Sequence, residues 1–173
     1  EESKLAIQTL RTLGLQTVLL SGDQPSAAQS VADQLGIETV IANVLPTQKA
    51  EHIKALQAQG ERVGMVGDGI NDAPSLAQAD VGFAIGTGTD IAIASADLTL
   101  MGGSPLAVVD AVQLSRATMA NIKQNLFGAF VFNTIGIPVA AGILYPWFGI
   151  LLSPMIASAA MAMSSFVVVS NAN

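Results

Sequence analysis

The chain of 173 residues contains no cysteine and only one histidine, one tryptophan and one tyrosine. The absence of cysteine excludes disulfides and thiolate metal sites. Charge is also missing from a long part of the chain, because no charged residue occurs from Leu126 to Asn173. A segment of this kind cannot form the surface of a soluble domain. It is long enough for two membrane crossings of about 20 residues each.

Basic residues are scarce in the rest of the chain. All thirteen acidic residues lie at or before Asp110, together with five of the seven basic ones, which gives this part a formal charge of −8. Such a balance excludes a nucleic-acid-binding domain. Gly-Gly-Ser-Pro at 102–105 is the one cluster of loop-forming residues that marks a domain boundary. We therefore expect a soluble domain at 1–104, a stalk helix at 105–125 and a membrane segment at 126–173.

The acidic part alternates short apolar runs with segments of helical periodicity. This order is typical of an α/β fold whose parallel sheet is covered by helices on both faces. The predicted helices lie at 3–13, 25–35 and 48–59, and the predicted strands lie at 17–20, 39–42, 63–66, 81–85 and 98–100.

One motif stands at the centre of this pattern. The strand at 63–66 ends in Gly-Asp-Gly, and Pro74 suits the first turn of the helix that follows. Ligands of α/β sheets usually bind at the carboxyl ends of strands. Asp68 and Asp72, with Asn71 beside them, therefore indicate an oxygen-rich Mg²⁺ site next to a phosphate. The alternative is a simple turn followed by a helix cap.

A second candidate loop, Ser21-Gly22-Asp23, follows the first predicted strand. The hydroxyl of Ser21 and the amide of Gly22 could hold a phosphoryl oxygen, whereas the alternative is a Ser-Gly turn in which Asp23 caps the next helix. Lys49 lies in the first turn of a predicted helix. A cation there opposes the helix dipole, so its side chain needs either solvent or an anionic partner, and we favour a phosphate.

The uncharged part predicts a membrane hairpin. An amphipathic helix begins near Pro105 and continues into the apolar segment, with Arg116 and Lys123 marking its cytoplasmic end. The predicted first crossing, aromatic turn and returning helix lie at 126–144, 145–149 and 154–169.

A few residues of the hairpin are not typical of lipid-facing helices. Asn133 carries an amide, and Pro138 deprives the carbonyl of Thr134 of its helical partner, so the helix could open there around an ion. Met161 and Ser165 are four residues apart and share one helix face. The alternatives are core packing for the methionine and a hydrogen bond between helices for the serine.

The motif GDGINDAPSLAQADVGFAIGTGTDIA resembles the hinge signature of P-type cation-pumping ATPases, which are members of the haloacid-dehalogenase superfamily. The loop at Ser21 resembles the second phosphate-binding loop of that family, and Lys49 lies where its phosphate-binding lysine is expected. The resemblance implies a haloacid-dehalogenase-like parallel sheet. It also implies that Asp68 and Asp72 bind Mg²⁺, supported by Asn71, and that Ser21, Gly22, Asp23 and Lys49 contact the phosphoryl group.

The membrane segment resembles the heavy-metal subgroup of the same family. Its copper(I) pumps have a Tyr-Asn pair and a Met-x-x-x-Ser motif, which correspond to Phe132-Asn133 and to Met161 with Ser165. The resemblance implies that Asn133, Met161 and Ser165 bind Cu⁺, while Phe132 lacks the hydroxyl of the usual tyrosine. A thioether suits Cu⁺, and the carboxylate that related Zn²⁺ pumps use is missing after Lys123.

We therefore expect part of an ATP- and Mg²⁺-dependent Cu⁺-exporting ATPase of a bacterial inner membrane, with residues 1–125 in the cytoplasm. The expected partners are the lipid bilayer, the remaining domains of the same protein, and copper(I) or a copper-delivering protein. The chain starts at Glu1 and contains no Asp-Lys-Thr-Gly motif. We expect it to be a piece of a longer protein and to be inactive alone.

Three other functions remain open from the sequence. The first is export of Zn²⁺ or Cd²⁺ by a pump of the same family. The second is a haloacid-dehalogenase-like phosphatase whose hairpin is only an anchor. The third is a non-enzymatic regulatory or assembly fragment.

Overall fold

The computed structural model describes residues 1–68, 70–86, 90–149 and 153–172. The chain divides into two compact units, residues 1–112 and 113–173. The helices and strands are, in chain order, α1 (Glu2–Thr12), β1 (Val18–Leu20), α2 (Pro25–Leu35), β2 (Thr39–Ile41), α3 (Pro46–Ala58), β3 (Gly64–Gly67), α4 (Ala73–Gln78), β4 (Val81–Ile85), α5 (Asp90–Ser95), β5 (Leu98–Leu100), α6 (Leu106–Ala140), α7 (Tyr145–Phe148) and α8 (Pro154–Ala172).

The strands of the first unit form two parallel sheets. One sheet contains β1 and β2, and the other has the order β3-β4-β5. Parallel neighbours must be joined by crossover connections, and α2, α4 and α5 lie in the connections between paired strands. The predicted parallel α/β class is confirmed.

Proline and glycine set the ends of the helices. Pro25 begins α2 at the predicted residue, and Gly36 ends it in a left-handed conformation with φ 76°. The helix α3 begins at Pro46, two residues before the predicted start at Gln48. The Gln48 side chain stabilises this start, because its Oε1 accepts a hydrogen bond of 3.2 Å from the N–H of Leu45.

The core of the first unit lies between α4, the β3-β4-β5 sheet and the beginning of α6. Leu76 of α4 is fully buried, and Val108 of α6 packs with Phe83 and Leu100 of the sheet. Gly82 allows α4 to approach β4 closely, since a Cβ atom there would lie 2.7 Å from the carbonyl oxygen of Leu76.

A polar cluster joins the end of α3 to the turn between α4 and β4. Gln57 donates hydrogen bonds of 3.1 Å to the carbonyl of Gln78 and to a carboxylate oxygen of Asp80. The N–H of Val63 donates to the same oxygen of Asp80 at 2.8 Å. These two donors, Val63 first and then Gln57, hold the pKa of the Asp80 carboxyl below its ordinary value.

In the second unit, side-chain amides join α6 to the end of α8. The Nδ2 atom of Asn171 lies 2.9 Å from Oδ1 of Asn125 and 3.2 Å from Oδ1 of Asn121. Asn121 in turn donates to the carbonyl of Asn171 at 3.0 Å. The contact fixes the end of α8 beside one face of α6, because residues 121 and 125 are one helical turn apart.

The predicted membrane hairpin is not supported by the part of the chain that the structure describes. Within it, no helix combines the length and the apolar character that a bilayer crossing requires. The first predicted crossing is wrong at its end, since α6 stops at Ala140 instead of 144. Gly142 has φ 86°, and the N–H of Ile143 bonds the carbonyl of Pro138. This left-handed glycine cap ends the helix.

Two further expectations concern the same region. The helix does not open at Pro138, because α6 continues through it as one α-helix. The aromatic turn predicted at 145–149 contains the single helical turn α7, which Gly149 ends with φ 64°.

We expect Gly82→Ala to lower the free energy of unfolding of this chain by about 1–3 kcal/mol, since the added methyl group overlaps the Leu76 carbonyl. The measurement is urea denaturation followed by circular dichroism. Gly64→Ala is the matched control, because a Cβ atom there meets its nearest neighbour, Phe83, at an ordinary contact distance of 3.4 Å. Equal midpoints for the Gly82 and Gly64 variants would contradict this packing.

We expect Asp80→Asn to weaken the pH dependence of stability in acid. The pKa of Asp80 in the folded chain lies below its ordinary value of 3.8. Its contribution is therefore fully present above that value and is lost as the pH falls through the lower, folded pKa. Urea midpoints between about pH 3 and about pH 7 measure the slope. Glu51→Gln, which removes another exposed carboxylate, should keep the slope of the unmodified chain.

Candidate functional site

The carboxyl ends of three strands surround a cavity in the first unit. Leu20 ends β1, Met65 and Val66 belong to β3, and Ile85 ends β4; all four line a cavity of about 280 Å³. Polar groups enter this cavity from Lys49, Asp68 and Asp72. It lies where parallel α/β sheets bind their ligands.

Lys49 and Asp72 form an ion pair inside this cavity. The Lys49 Nζ atom lies 2.7 Å from Oδ1 of Asp72, and only 16% and 12% of the two side chains are exposed. Lys49 thus has an anionic partner in this structure and not a solvated ammonium, while its contact with a phosphate stays a prediction. The sequence predicted a phosphate as that partner, whereas the partner in this structure is a carboxylate.

Gly67 makes room for Asp72. A Cβ atom on Gly67 would lie 2.7 Å from the Cβ atom and 2.9 Å from Oδ2 of Asp72. Asp72 occupies the N-cap position of α4, but its carboxylate makes no capping hydrogen bond. Its side chain instead lies between β3 and Lys49, so the alternative of a simple helix cap does not describe it.

Asp68 brings a second carboxylate to the same cavity, directly after β3. Two carboxylates suffice for Mg²⁺ where a phosphate supplies further oxygen ligands, so this donor set fits the predicted ion. A group of three acidic or histidine side chains is not found at this cavity or at any other place among the described residues. Asn71 lies in the 3₁₀ turn Ile70–Asp72 and is exposed, and Gly69 lies outside the described residues.

The loop after β1 is held by its own side chains. Ser21 Oγ donates to Oδ2 of Asp23 at 2.9 Å and accepts from the N–H of Asp23 at 3.1 Å. Asp23 does not cap α2, whose N-cap is Gln24. Gly22 lies against Val44, where a Cβ atom would be 3.2 Å from the carbonyl oxygen. The serine turn is therefore present, and a phosphoryl contact from this loop stays a prediction.

Ser75 is a residue that the sequence analysis missed. It is fully buried in α4, and its hydroxyl has no hydrogen-bond partner among the described residues. A buried hydroxyl without a partner is rare in native proteins. Its position three residues after Asp72, on the same face of the turn that enters α4, is the signal that could have revealed it.

The predicted copper ligands lie in the second unit. Asn133 is exposed on α6 and donates to the Ala129 carbonyl at 3.1 Å. Met161 is 72% exposed on α8, and Ser165 is exposed one turn later. No described contact joins Asn133 to either of them. The side chain of Phe132 lies outside what the structure describes.

A family model for haloacid dehalogenase-like hydrolases matches residues 1–80. A copper-exporting P-type ATPase of Vibrio cholerae is 61% identical over 171 residues, which are 99% of this chain and 19% of that protein. A probable copper-transporting ATPase of Synechocystis is 58% identical, over 98% of this chain and 23% of that protein. The chain thus spans about a fifth of the length of these relatives.

Among solved structures, a zinc-transporting PIB-type ATPase in its E2.Pi state superposes with a TM-score of 0.83. It is 36% identical, and the match covers 98% of this chain and 26% of that one. The α/β part of the chain has a haloacid-dehalogenase-like fold, and the chain is similar over nearly its whole length to copper-exporting P-type ATPases.

Proposed function

We propose that this chain is part of a P-type ATPase that exports Cu⁺, and that it contributes the Mg²⁺ and phosphate site and the intramembrane copper ligands. The observation that carries the proposal is the cavity where Lys49, Asp68 and Asp72 meet at the carboxyl ends of the strands. One ammonium and two carboxylates in a partly enclosed space are the groups that phosphoryl transfer needs for positioning and charge neutralisation.

The division of the sheet supports a place within a larger phosphorylation domain. Among the described strands, β1 pairs only with β2, and β3 pairs only with β4, yet both β1 and β3 line the same cavity. An edge strand has unpaired N–H and C=O groups, which can form hydrogen bonds with a further strand. We propose that a strand from the rest of the protein lies between β1 and β3 and carries the phosphorylated aspartate at its carboxyl end.

Each polar residue of the cavity then has a role. Asp68 and Asp72 would hold Mg²⁺, and Lys49 would neutralise the phosphoryl oxygens. Asn71, which does not line the cavity, would support the magnesium geometry from the adjoining turn. Bound Mg²⁺ supplies a positive charge that stabilises the phosphoryl group in the transition state. The Ser21–Asp23 loop would offer the Gly22 amide to the same group, and the Ser21 hydroxyl could join it by exchanging its bond to Asp23.

Lys49 would change partners during the reaction. Its ammonium is paired with Asp72 at 2.7 Å in this structure. With the Asp72 carboxylate holding Mg²⁺, the Lys49 ammonium would be available to a phosphoryl oxygen. Both side chains are largely buried, so a charge without a partner would be costly for either of them. In this scheme Asp72 faces Lys49 or Mg²⁺, and Lys49 faces Asp72 or the phosphoryl group.

The absence of charge from Leu126 to Asn173 supports a location in a membrane, although no helix among the described residues meets the length and apolar character of a crossing. We propose that α6 beyond Leu126 and α8 belong to the membrane domain of the ATPase, in a bacterial inner membrane with residues 1–125 in the cytoplasm. Met161 and Ser165 share one face of α8, and with Asn133 they offer sulfur and oxygen ligands. The thioether favours Cu⁺, and the two relatives reported above are named as a copper-exporting and a probable copper-transporting ATPase.

Export of Zn²⁺ is a second candidate, favoured by the similarity to the zinc-transporting structure. A phosphatase with an inert anchor remains a third. Both differ from the main proposal in the role of Met161, which binds Cu⁺ only in the main proposal.

We expect Asp68→Asn in the full-length ATPase to reduce Mg²⁺-dependent phosphoenzyme formation from ATP by about 100-fold or more, because a preorganised charge at the reacting group is lost. Acid-stable incorporation of labelled phosphate measures this step. Asp33→Asn removes an exposed carboxylate on α2 and serves as the control that keeps full incorporation. Normal incorporation in the Asp68 variant would contradict the proposed magnesium site.

We expect Met161→Leu to lower copper-stimulated ATPase activity by at least about tenfold, since even indirect partners of a bound metal contribute that much. Met163→Leu is the matched control, because Met163 is also exposed on α8 but does not share the face of Met161. Stimulation by Zn²⁺ and not by Cu⁺ would favour the zinc exporter. Unchanged copper-stimulated activity in the Met161 variant would favour the anchored phosphatase.

A further inference from the structure

Asn43 has an unusual backbone conformation. It is the one non-glycine residue with left-handed φ among those described, with φ 58°. This region is uncommon for residues with a side chain, although asparagine enters it more readily than most others. Asn43 is exposed and lies between β2 and α3. An outlier of this kind needs a surrounding structure that requires it.

At Asn43 the backbone forms hydrogen bonds between the segment after β2 and the loop after β1. The N–H of Asn43 donates to the Asp23 carbonyl at 2.8 Å, and the N–H of Val44 donates to the Ser21 carbonyl at 3.1 Å. The N–H of Ser21 donates to the Ile41 carbonyl at 2.9 Å. Two hydrogen bonds therefore join the loop after β1 to the segment after β2, and a third joins it to the last residue of β2.

The same segment leads directly into α3, which carries Lys49. Val44 is 4% exposed, Leu45 is the N-cap, and Pro46 is the first residue of the helix. Only Leu45 separates the hydrogen-bonded residue Val44 from the start of α3, so little of the backbone before Lys49 is free to rotate. The backbone at Asn43 thus lies between the hydrogen bonds to the Ser21 loop and the first turn of α3.

We propose that Asn43 is a positioning residue of the phosphoryl site: its left-handed backbone fixes the separation of the Ser21–Asp23 loop from the Lys49 ammonium. The inference rests on the proposed function, because the loop and the lysine act on one phosphoryl group there. Asn43 touches no reacting atom itself. Its effect passes through the hydrogen bonds of its own N–H and of the neighbouring Val44.

The test uses the full-length ATPase and inorganic phosphate as the probe. In the presence of Mg²⁺ and without ATP, phosphoenzyme formation is titrated with phosphate to find the half-saturating concentration. Asn43→Gly keeps the left-handed conformation without strain and should match the unmodified protein within about twofold. Asn43→Val disfavours this conformation strongly, and Asn43→Ala does so more mildly.

We expect the half-saturating phosphate concentration to rise about tenfold or more for Asn43→Val and by a smaller factor for Asn43→Ala, because misplaced binding groups lose positioning. Arg11→Ala, which removes a pair with Glu38 away from the site, controls for general destabilisation and should leave the value unchanged. Where the valine variant does not fold, the alanine variant decides.

The inference is overturned by an unchanged phosphate titration in the folded variants that disfavour the left-handed backbone. It is also overturned when the glycine variant is impaired as strongly as the others, or when Arg11→Ala shifts the titration equally. A full-length protein that is not phosphorylated at all, with Asn43 intact, contradicts the proposed function instead. The two failures are thus distinguishable.

Discussion

The ion pair between Lys49 and Asp72 is the interaction on which the candidate site depends. It joins the first turn of α3 to the N-cap position of α4 across 2.7 Å, with both side chains largely removed from solvent. Loss of one partner of a buried pair leaves an uncompensated charge, which costs about 3–5 kcal/mol in proteins. The same contact therefore joins two helices and places the charges that the proposed phosphoryl transfer would use.

Close backbone approach makes this pair possible. Gly67 leaves space for the Asp72 side chain, and Gly82 lets the Leu76 carbonyl of α4 lie against β4. A side chain at either position would push α4 away from the sheet. Asp72 would then move away from the carboxyl end of β3 and therefore away from Asp68. The two glycines thus connect the packing of the core with the geometry of the site.

Much of the fold could be predicted because its signals are local. The short apolar runs gave β4 and β5 at the predicted residues, and proline and glycine marked both ends of α2. Helix ends were harder to predict where a glycine cap lies inside an apolar segment. A left-handed Gly142 ends α6 inside an apolar segment that hydropathy alone extends to 144, since a cap depends on backbone angles that apolar composition does not reveal.

The sequence by itself determined the separation of an acidic part from an uncharged part, the parallel α/β class, and the acidic residues that follow β3. These properties depend on composition and on spacing within one element. Only the tertiary structure decided that Lys49 pairs with Asp72, that Asn43 is left-handed, and that the Ser75 hydroxyl is buried without a described partner. Such contacts depend on how separate helices and loops pack against one another, which local periodicity does not specify.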